Sequence, residues 1–326
     1  VTMDQDLLQA ALDGDHAAFD ALTEPHRHEL HVHCYRMLGS VQDAEDAVQD
    51  TLLSAWLGLP GFEGRSSLRT WLYRIATNRC LNILRAGRRR PLEAEPPVAR
   101  PTALGEVSWL EPYPDSLLDG LPDSAPGPEA RYESREAITL AFTRALQLLP
   151  PSQRAALILR DVLGYPAAEA ADLLDVTVDS LNGSLKRARA ALAEAPLALD
   201  PIDPDPELLE RFVTAFTSGA VEDMVALMTD DVWVRMPPLP FEYHGPDAAA
   251  AFFGPMTGHR RTIQRMVPTG ANGQPAWGEY VSAPVSGGLH LVGVLVVGVT
   301  GGRVSEVTHF DPGAGAWLGL PRRLEE

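Results

Sequence analysis

Eight arginines stand between residues 64 and 92 with no acidic side chain among them, in a chain of 326 residues whose formal net charge is -17. An acidic protein attracts nucleic acid only where its charge is locally reversed, so this island has the chemistry of a phosphate-binding surface. Its order supports that reading. Leu68, Trp71, Leu72, Ile75, Ala76, Cys80, Ile83 and Leu84 recur at helical spacing, which sets Arg74, Asn78, Asn82, Arg85 and Arg89 along the opposite face. One face packs, and the other presents guanidinium and amide groups.

The elements that position this island are legible on either side. Gly39 ends a first helical region, and Ser40 with Asp43 three residues on starts a new helix that runs to about Leu57. Its apolar stripe is Ala44, Ala47, Val48, Thr51, Leu52 and Ala55, while Asp43, Asp46, Gln49 and Asp50 lie outside. Taken alone, such an acidic stripe is a solvated face. Further on, between Ala137 and Leu192, helical spacing breaks at Pro150–Pro151, at Gly164–Pro166 and around Asp175–Thr177. The last break is only turn-length. Ala167, Ala170, Ala171 and Leu174 form the inner stripe of a short helix, and Val178, Leu181, Leu185, Ala188 and Leu192 that of a longer one. Two helices joined by such a turn can lay the second in a major groove, where it would show Asp179, Ser180, Asn182, Gly183, Lys186 and Arg187, with Arg189 toward the DNA backbone.

Charge summed by segment narrows the choice. Residues 1–91, 92–138, 139–199 and 200–326 carry -2, -7, 0 and -8, so a nucleic-acid surface belongs to the first or third. The second has nine prolines between Pro91 and Pro128 and no hydrophobic periodicity, and reads as an extended acidic linker. No apolar run reaches the ~18 residues that cross a bilayer, and Leu289–Val299 is too short. With two cysteines, Cys34 and Cys80, both in expected helices, the chain reads as a cytoplasmic protein of a reducing compartment. The stretch holding His26, His28, His31, His33 and Cys34 invites a metal reading, but three or four convergent ligands are hard to place on one helix. Surface histidines around a buried Cys34 are the simpler account, and no metal or cofactor is expected.

The run CYRMLGSVQDAEDAVQDTLLSAW, the loop GLPGFEGRSS and then LRTWLYRIATNRCLNILRAGRRRP together resemble region 2 of sigma factors of the extracytoplasmic-function (ECF) group, over roughly residues 15–91. LPPSQRAALILRDVLGYPAAEAADLLDVTVDSLNGSLKRARAAL resembles their region 4. The resemblance implies that Asp43, Asp46, Gln49 and Asp50 dock on the clamp coiled coil of the largest subunit of core RNA polymerase. It implies that the loop and arginine helix engage the minus-ten element of promoter DNA: Phe62, Arg65 and Ser66 for base capture, and Arg69, Arg74, Asn78, Asn82 and Arg85 for strand contact. Melting a duplex at fixed positions needs pockets for flipped bases and cations for phosphates, which these residue types supply. Trp71 reads as core and Tyr73 is left open. Asn82 stands where many relatives have aspartate, which bears on promoter preference. For region 4 the resemblance implies minus-thirty-five contact through Asp179, Ser180, Asn182, Gly183, Lys186, Arg187 and Arg189, and contact with the polymerase beta flap. Gly183 inside a recognition helix costs about 1 kcal/mol relative to alanine, so close approach of the backbone to DNA is a hypothesis for it.

From Asp205 the pattern changes. The helical runs PELLERFVTAF and VEDMVALM lead to a strand (DVWVRM), a helix (PDAAAAFFGPM) and four strand-like runs, TIQRMVP, PAWGEYVSA, LHLVGVLVVGV and RVSEVTHFD, an α+β arrangement. The order and the tail from GGRVSEVTHF to WLGLP resemble the SnoaL-like polyketide-cyclase and nuclear-transport-factor family, a cone-shaped sheet with an apolar pocket. Candidates to line a ligand pocket are Trp233, Met236, Phe241, Tyr243, Phe252, Phe253, Met256, Trp277, Tyr280, His290 and His309, each of which could equally fill a core. Glu279, His290, His309 and Asp311 are the candidate acids and bases, and spacing supports no pair of them, so an enzyme is not expected. Related fusions suggest regulation in cis, in place of a separate anti-sigma protein.

The expected architecture is therefore multidomain. Residues 1–91 and 137–199 form two all-α sigma domains, the second a helix-turn-helix. They are joined by an acidic, proline-rich linker at 92–136 and followed by an α+β SnoaL-like domain at 203–326. Two other readings compete: a helix-turn-helix regulator that is not a sigma subunit, and a SnoaL-like enzyme fused to a DNA-binding module. The acidic helix discriminates against the first, since a plain regulator needs no such surface. A buried acid or base in a pocket would favour the second.

Overall fold

A computed structural model describes residues 2–87, 99–105, 109–118, 136–194, 205–258, 263–282 and 287–325. The chain divides into two compact units, one of residues 1–88, 120–134 and 145–195, the other of 89–119, 135–144 and 196–326.

The first unit is helical: α1 (Thr2–Leu12), α2 (His16–Leu38), α3 (Val41–Gly58), α4 (Leu68–Ala86), the end of α5 (Leu140–Leu148), α6 (Pro151–Leu157), α7 (Ala167–Leu173) and α8 (Val178–Glu194). Each boundary has a local cause. Asp15 caps α2 by accepting from the Ala17 and Ala18 amides, and Gly39 closes it at φ 72°, where a side chain would be strained. Ser40 caps α3 by accepting from Asp43 N, and Ser67 caps α4 by accepting from Thr70 N. The stripe expected for α3 is the one observed: Ala44, Ala47, Val48, Thr51, Leu52 and Ala55 are buried, together with Val41.

The expected stripe of α4 needs correction. Its buried residues are Leu72, Tyr73, Ala76, Thr77, Cys80 and Leu81, so the packed face is turned toward Tyr73 and away from Trp71. Tyr73 wins the core position because its hydroxyl finds a buried acceptor, donating to Glu29 Oε2 at 3.3 Å. Trp71 is half-buried against Phe62, ring centroids 4.9 Å apart.

The second unit holds a twisted sheet in the order β1-β3-β2-β7-β6-β5-β4, with β8 pairing the start of β6. The strands are β1 (Ala103–Leu104), β2 (Met228–Arg235), β3 (Phe241–His244), β4 (Arg265–Ala271), β5 (Gln274–Ser282), β6 (Leu289–Thr300), β7 (Arg303–Phe310) and β8 (Arg323–Leu324). All pairs are antiparallel except β2 with β7. Helices α9 (Pro206–Ser218), α10 (Val221–Ala226) and α11 (Pro246–Gly258) cover one face, where Phe212, Phe252, Phe253, Trp277, Leu295 and Val297 pack together. Tyr280, Val294, Val296 and Phe310 pack on the other with Leu110 and Leu140. Burial on both faces is why β6 reads as a near-continuous apolar run.

Of the segment expected to be an extended linker, 92–136, the described residues 99–105 and 109–118 group with this second unit. Strand β1 adds to the sheet edge, with Ala103 opposite Glu242 and Leu104 opposite Phe241. Residues 137–144, expected to open the helix-turn-helix domain, also group with it. Proline and charge made 92–136 look solvated; at Ala103 and Leu104 edge pairing satisfies the backbone without any side-chain periodicity.

Candidate nucleic-acid interface

In the helical unit the structure sorts the expected contact residues into exposed and engaged ones. Arg65, Ser66, Asn78, Asn82 and Arg85 are exposed along the loop and the outer face of α4, while Phe62 is half-buried on Trp71. Arg85 donates to Asn82 Oδ1 at 3.0 Å and Arg65 lies 2.9 Å from Glu63, contacts weak enough in water to exchange for phosphate. Arg89 lies outside the described residues.

Arg69 is different. Its Nε donates to both oxygens of the buried Glu29 at 3.0 and 2.8 Å, and Nη2 lies 2.7 Å from Oε2. Its guanidinium also lies 4.9 Å from the ring of Tyr73 and 6.0 Å from that of Tyr165. Burial pushes the Glu29 carboxyl up, but the bonds from His26 and Arg69 outweigh it and hold the group below its ordinary range. Arg74 lies 3.5 Å from Asp172, on α7. Two of the three arginines expected to touch the promoter strand, Arg69 and Arg74, thus meet region-4 residues, Tyr165 and Asp172, while Arg85 stays exposed.

Three more contacts join the two halves of this unit. Arg154, buried on α6, donates to Met37 O, Gln147 Oε1, Gln147 O and Leu149 O, and burial lowers its pKa to about 10. Gln147 donates in turn to Arg36 O. Tyr165 meets Tyr73 edge-on, with centroids 5.9 Å apart. These are buried, neutral-acceptor contacts and should resist salt.

On α3, Asp46 and Gln49 are exposed and Asp43 and Asp50 half-buried. Gln42 reaches Asp46, Gln49 reaches Glu45, and Arg79 pairs with Asp50. The acidic ridge is therefore continuous and solvent-facing, with one end held by α4.

The α7–α8 pair is a helix-turn-helix. Its turn carries Asp175 at φ 54°, and Thr177 Oγ1 accepts from Ser180 N to start α8. Leu181, Leu185, Ala188 and Leu192 are buried, while Asp179, Ser180, Asn182, Lys186 and Arg187 are exposed and Gly183 half-buried. Arg189 departs from expectation. It grips the buried Asp161 through two bonds of 2.7 and 2.6 Å, tying α8 to the π-helical turn Ile158–Val162 instead of facing outward. A fully buried carboxylate needs such a fork.

The histidines of α2 find separate partners: His26 reaches Glu29 at 2.8 Å, His31 lies 3.6 Å from Glu45, and buried His33 meets Thr77 Oγ1 at 2.9 Å. Among the described residues no three His, Cys, Asp or Glu side chains gather as a metal site. Cys34 and Cys80 are both buried, and their contact with each other, with burial, pushes the Cys34 thiol pKa up.

In the sheet unit most candidate pocket residues are core. Phe241, Tyr243, Phe252, Phe253 and Trp277 are buried under the helices, and Tyr280 is buried on the opposite face. Trp233 stacks on His244 at 4.3 Å under the Arg235 guanidinium, His290 and Met236 are half-buried, and the side chain of Met256 lies outside the described residues. The structure does bring together one acid and base that spacing could not: His309 Nε2 lies 2.8 Å from Glu279 Oε2 across β5 and β7, with Gly293 between them. Burial lowers the His309 pKa, but Glu279 and Asp311 outweigh it and the net shift is upward. Asp311 itself caps the following turn through Gly313 N.

Comparison with known proteins agrees with this layout. Residues 22–90 match the Sigma-70 region 2 family, 139–192 the Sigma-70 region 4 family, and 209–307 the SnoaL-like domain family. Fold and surfaces thus define a sigma-type transcription factor with an α+β extension. The ECF RNA polymerase sigma factor SigG of Mycobacterium tuberculosis is 42% identical over 323 residues, covering 94% of this chain and 85% of its own length. SigM of the same organism is 34% identical over 193 residues, 58% of this chain and 83% of that protein. The crystal structure of M. tuberculosis SigJ superposes with a TM-score of 0.62 at 20% identity, covering 93% of this chain and 99% of that one, and shares the fold. The chain belongs to the ECF RNA polymerase sigma factors. As a sigma factor it binds core RNA polymerase and promoter DNA. No described helix is long and apolar enough to cross a membrane.

Proposed function

We propose that this sigma factor rests in a closed form in which region 4 covers part of the minus-ten face of region 2, and that its C-terminal domain controls the opening. The observation that carries the reading is the engagement of Arg69 by Tyr165 and of Arg74 by Asp172, both residues of region 4. Two promoter elements some 25 base pairs apart are separated by about 85 Å at ~3.4 Å per base pair. A compact unit of roughly 150 residues has a radius of gyration near 15 Å, so regions 2 and 4 must part before both elements are held.

In the open form Asp43, Asp46, Gln49 and Asp50 dock on the polymerase clamp coiled coil. Phe62, Arg65, Ser66, Arg69, Arg74, Asn78, Asn82 and Arg85 take the minus-ten strand. Asp179, Ser180, Asn182, Gly183, Lys186 and Arg187 face the minus-thirty-five element, Arg189 supports them through Asp161, and the start of region 4 meets the beta flap. The work is done in the cytoplasm, where polymerase and promoters are. Control in cis is supported by the linker segments built into the C-terminal unit, because a ligand or polymerase shifts the balance only by binding closed and open forms unequally.

Spin labels on cysteines placed at the exposed Asn82 and Lys186 test the closed form. Their separation should lengthen by tens of ångströms when core polymerase and promoter are added; an unchanged distance in an active complex overturns it. Asp46→Lys should abolish protein-dependent initiation by core polymerase without changing the fold, and full activity in that variant removes the acidic ridge from the polymerase interface.

A further inference from the structure

The recognition helix α8 begins with a side chain that its own periodicity misplaces. Val178, expected in the inner stripe, keeps 40% of its surface, and Val176, in the turn before it, keeps 42%. Between them Thr177 is exposed as well, its hydroxyl oxygen accepting from Ser180 N to start the helix. Three consecutive β-branched side chains therefore stand in solvent at the N-terminus of α8, while Leu181, Leu185, Ala188 and Leu192 carry its packing.

The surroundings define what these valines can meet. Val178, Asn182 and Lys186 fall at i, i+4 and i+8 and are all exposed, so they form one line along α8. The first turn of a recognition helix is the part that reaches base edges in the major groove. Asp175 and Asp179, both exposed, flank the valines and repel phosphate, so this end of the helix suits base edges better than the DNA backbone. A valine side chain has no hydrogen bond to offer there. The apolar group that the major groove presents is the C5 methyl of thymine. Valine is also stiff about χ1, so its methyls are held in place before binding and little rotamer freedom is lost on contact. We propose that Val178 and Val176 read thymine methyl groups in the minus-thirty-five element, adding apolar specificity to the polar contacts of Asn182 and Lys186. This rests on the reading that α8 faces that element.

Deoxyuridine tests this, because it pairs as thymidine does and lacks only that methyl. Core polymerase carrying the full-length protein is bound to a promoter fragment from which it initiates, with each thymine of the minus-thirty-five region replaced singly on either strand. Loss of one buried methyl should weaken binding about four-fold at the one or two contacted positions. Val178→Ala should bind the thymine and deoxyuridine fragments equally at its position, and Val176→Ala at a neighbouring one. Both sites are exposed, so circular dichroism should show unchanged helix content in the two variants. Lys186→Ala and Arg187→Ala should weaken binding to both fragments and keep their ratio. Absence of any deoxyuridine-sensitive position, or a ratio that survives both valine variants, overturns the proposal. If Lys186→Ala and Arg187→Ala then leave binding untouched as well, the reading of α8 as the promoter-facing helix falls with it; if they weaken binding, only the methyl contact falls.

Discussion

Asn272, in the β4–β5 turn, is the side chain whose replacement should release the linker most selectively. It is fully buried at φ 59°, its Oδ1 accepts from Tyr113 N at 2.7 Å, and its Nδ2 donates to Ile138 O at 2.6 Å. One carboxamide therefore holds the middle of the connection between the sigma domains, at Tyr113, and the residue just past its end, Ile138, assisted by Gln274, whose Oε1 accepts from Leu140 N at 2.8 Å. Asn272→Gly keeps the left-handed backbone and the bond from its own amide to Tyr113 O, but takes the Asn272 acceptor from the Tyr113 N–H and leaves Ile138 O only the long bond from Thr143 Oγ1 at 3.4 Å. Losing the acceptor of the N–H costs about 1–3 kcal/mol and losing the shorter bond to the carbonyl about 1 kcal/mol, so docking should weaken by about 2–4 kcal/mol, toward the low end if a water fills the gap. Asn272→Ala should add about 1–2 kcal/mol for a Cβ in the left-handed region. Asn272→Asp should be at least as severe as Gly, because a carboxylate oxygen then faces the Ile138 carbonyl. Amide exchange reads this directly: opening governed by the docking free energy should speed exchange at Tyr113 and Leu140 by roughly 30-fold or more in the glycine variant, with α2 and α3 unaffected. Transcription by core polymerase should change in the same variants and in the same order. Acceleration below about three-fold at Tyr113, or equal acceleration throughout the helical unit, would refute the clasp.

Other consequences follow from the same contacts. Burial holds the His33 pKa down to about 3, so the unfolded chain takes up its proton near 6.5 while the folded one does not. Stability of the helical unit should fall by up to about 1.4 kcal/mol per pH unit as pH drops from 6.5 toward 3, and a His33→Phe variant should lack that slope in chemical denaturation. His309 has the opposite sign: its folded pKa is raised, so its contribution is complete below 6.5 and disappears as pH rises through the folded value. His309→Gln should flatten that rise-dependent loss, and Gly293→Ala, whose Cβ would overlap His309 Nε2, should abolish it. Arg154→Met leaves Met37 O, Gln147 O and Leu149 O without their donor and should separate regions 2 and 4 at low and high salt alike, measured by the Asn82–Lys186 label distance. At Gly183 the nearest atom to an added Cβ is Arg187 Nη1 at 3.6 Å, so Gly183→Ala should raise thermal stability by about 0.5–1 kcal/mol. If promoter affinity of the polymerase complex is then unchanged, close backbone approach to DNA is excluded at that position.

What the sequence revealed was whatever one element decides within itself. The α3 stripe and the α8 stripe depend on a 3.6-residue period and a local cap, and both stand as read, apart from the exposed Val178. The α4 stripe was misjudged by about one position, because hydropathy ranks Trp71 above Tyr73 while the structure ranks them by whether the polar atom is satisfied. Arg69 and Arg189 were read as free cations from a pattern that shows charge but not partners. Their carboxylates, Glu29 and Asp161, lie 40 and 28 residues away. No spacing rule reaches that far.

The linker shows the same limit in its strongest form. Its partners lie 159 residues away for Tyr113 and 134 for Ile138, and a two-residue strand such as β1 has no period to detect. The one readable sign was on the other side of the contact. Asn272–Gly273 between two strand-like runs is the pair a tight hairpin favours, with positive φ at both residues, and both are found at φ 59° and 67°. That pair announced a turn but not that the turn would be covered. A buried asparagine must satisfy its carboxamide, and at the tip of a hairpin the strands it joins leave that side chain no ladder partner. The partners then come from another segment, and here that segment is the connection between the two promoter-reading regions. A proline-rich acidic stretch is disordered only when nothing supplies its backbone bonds, and composition measures the stretch without measuring what supplies them.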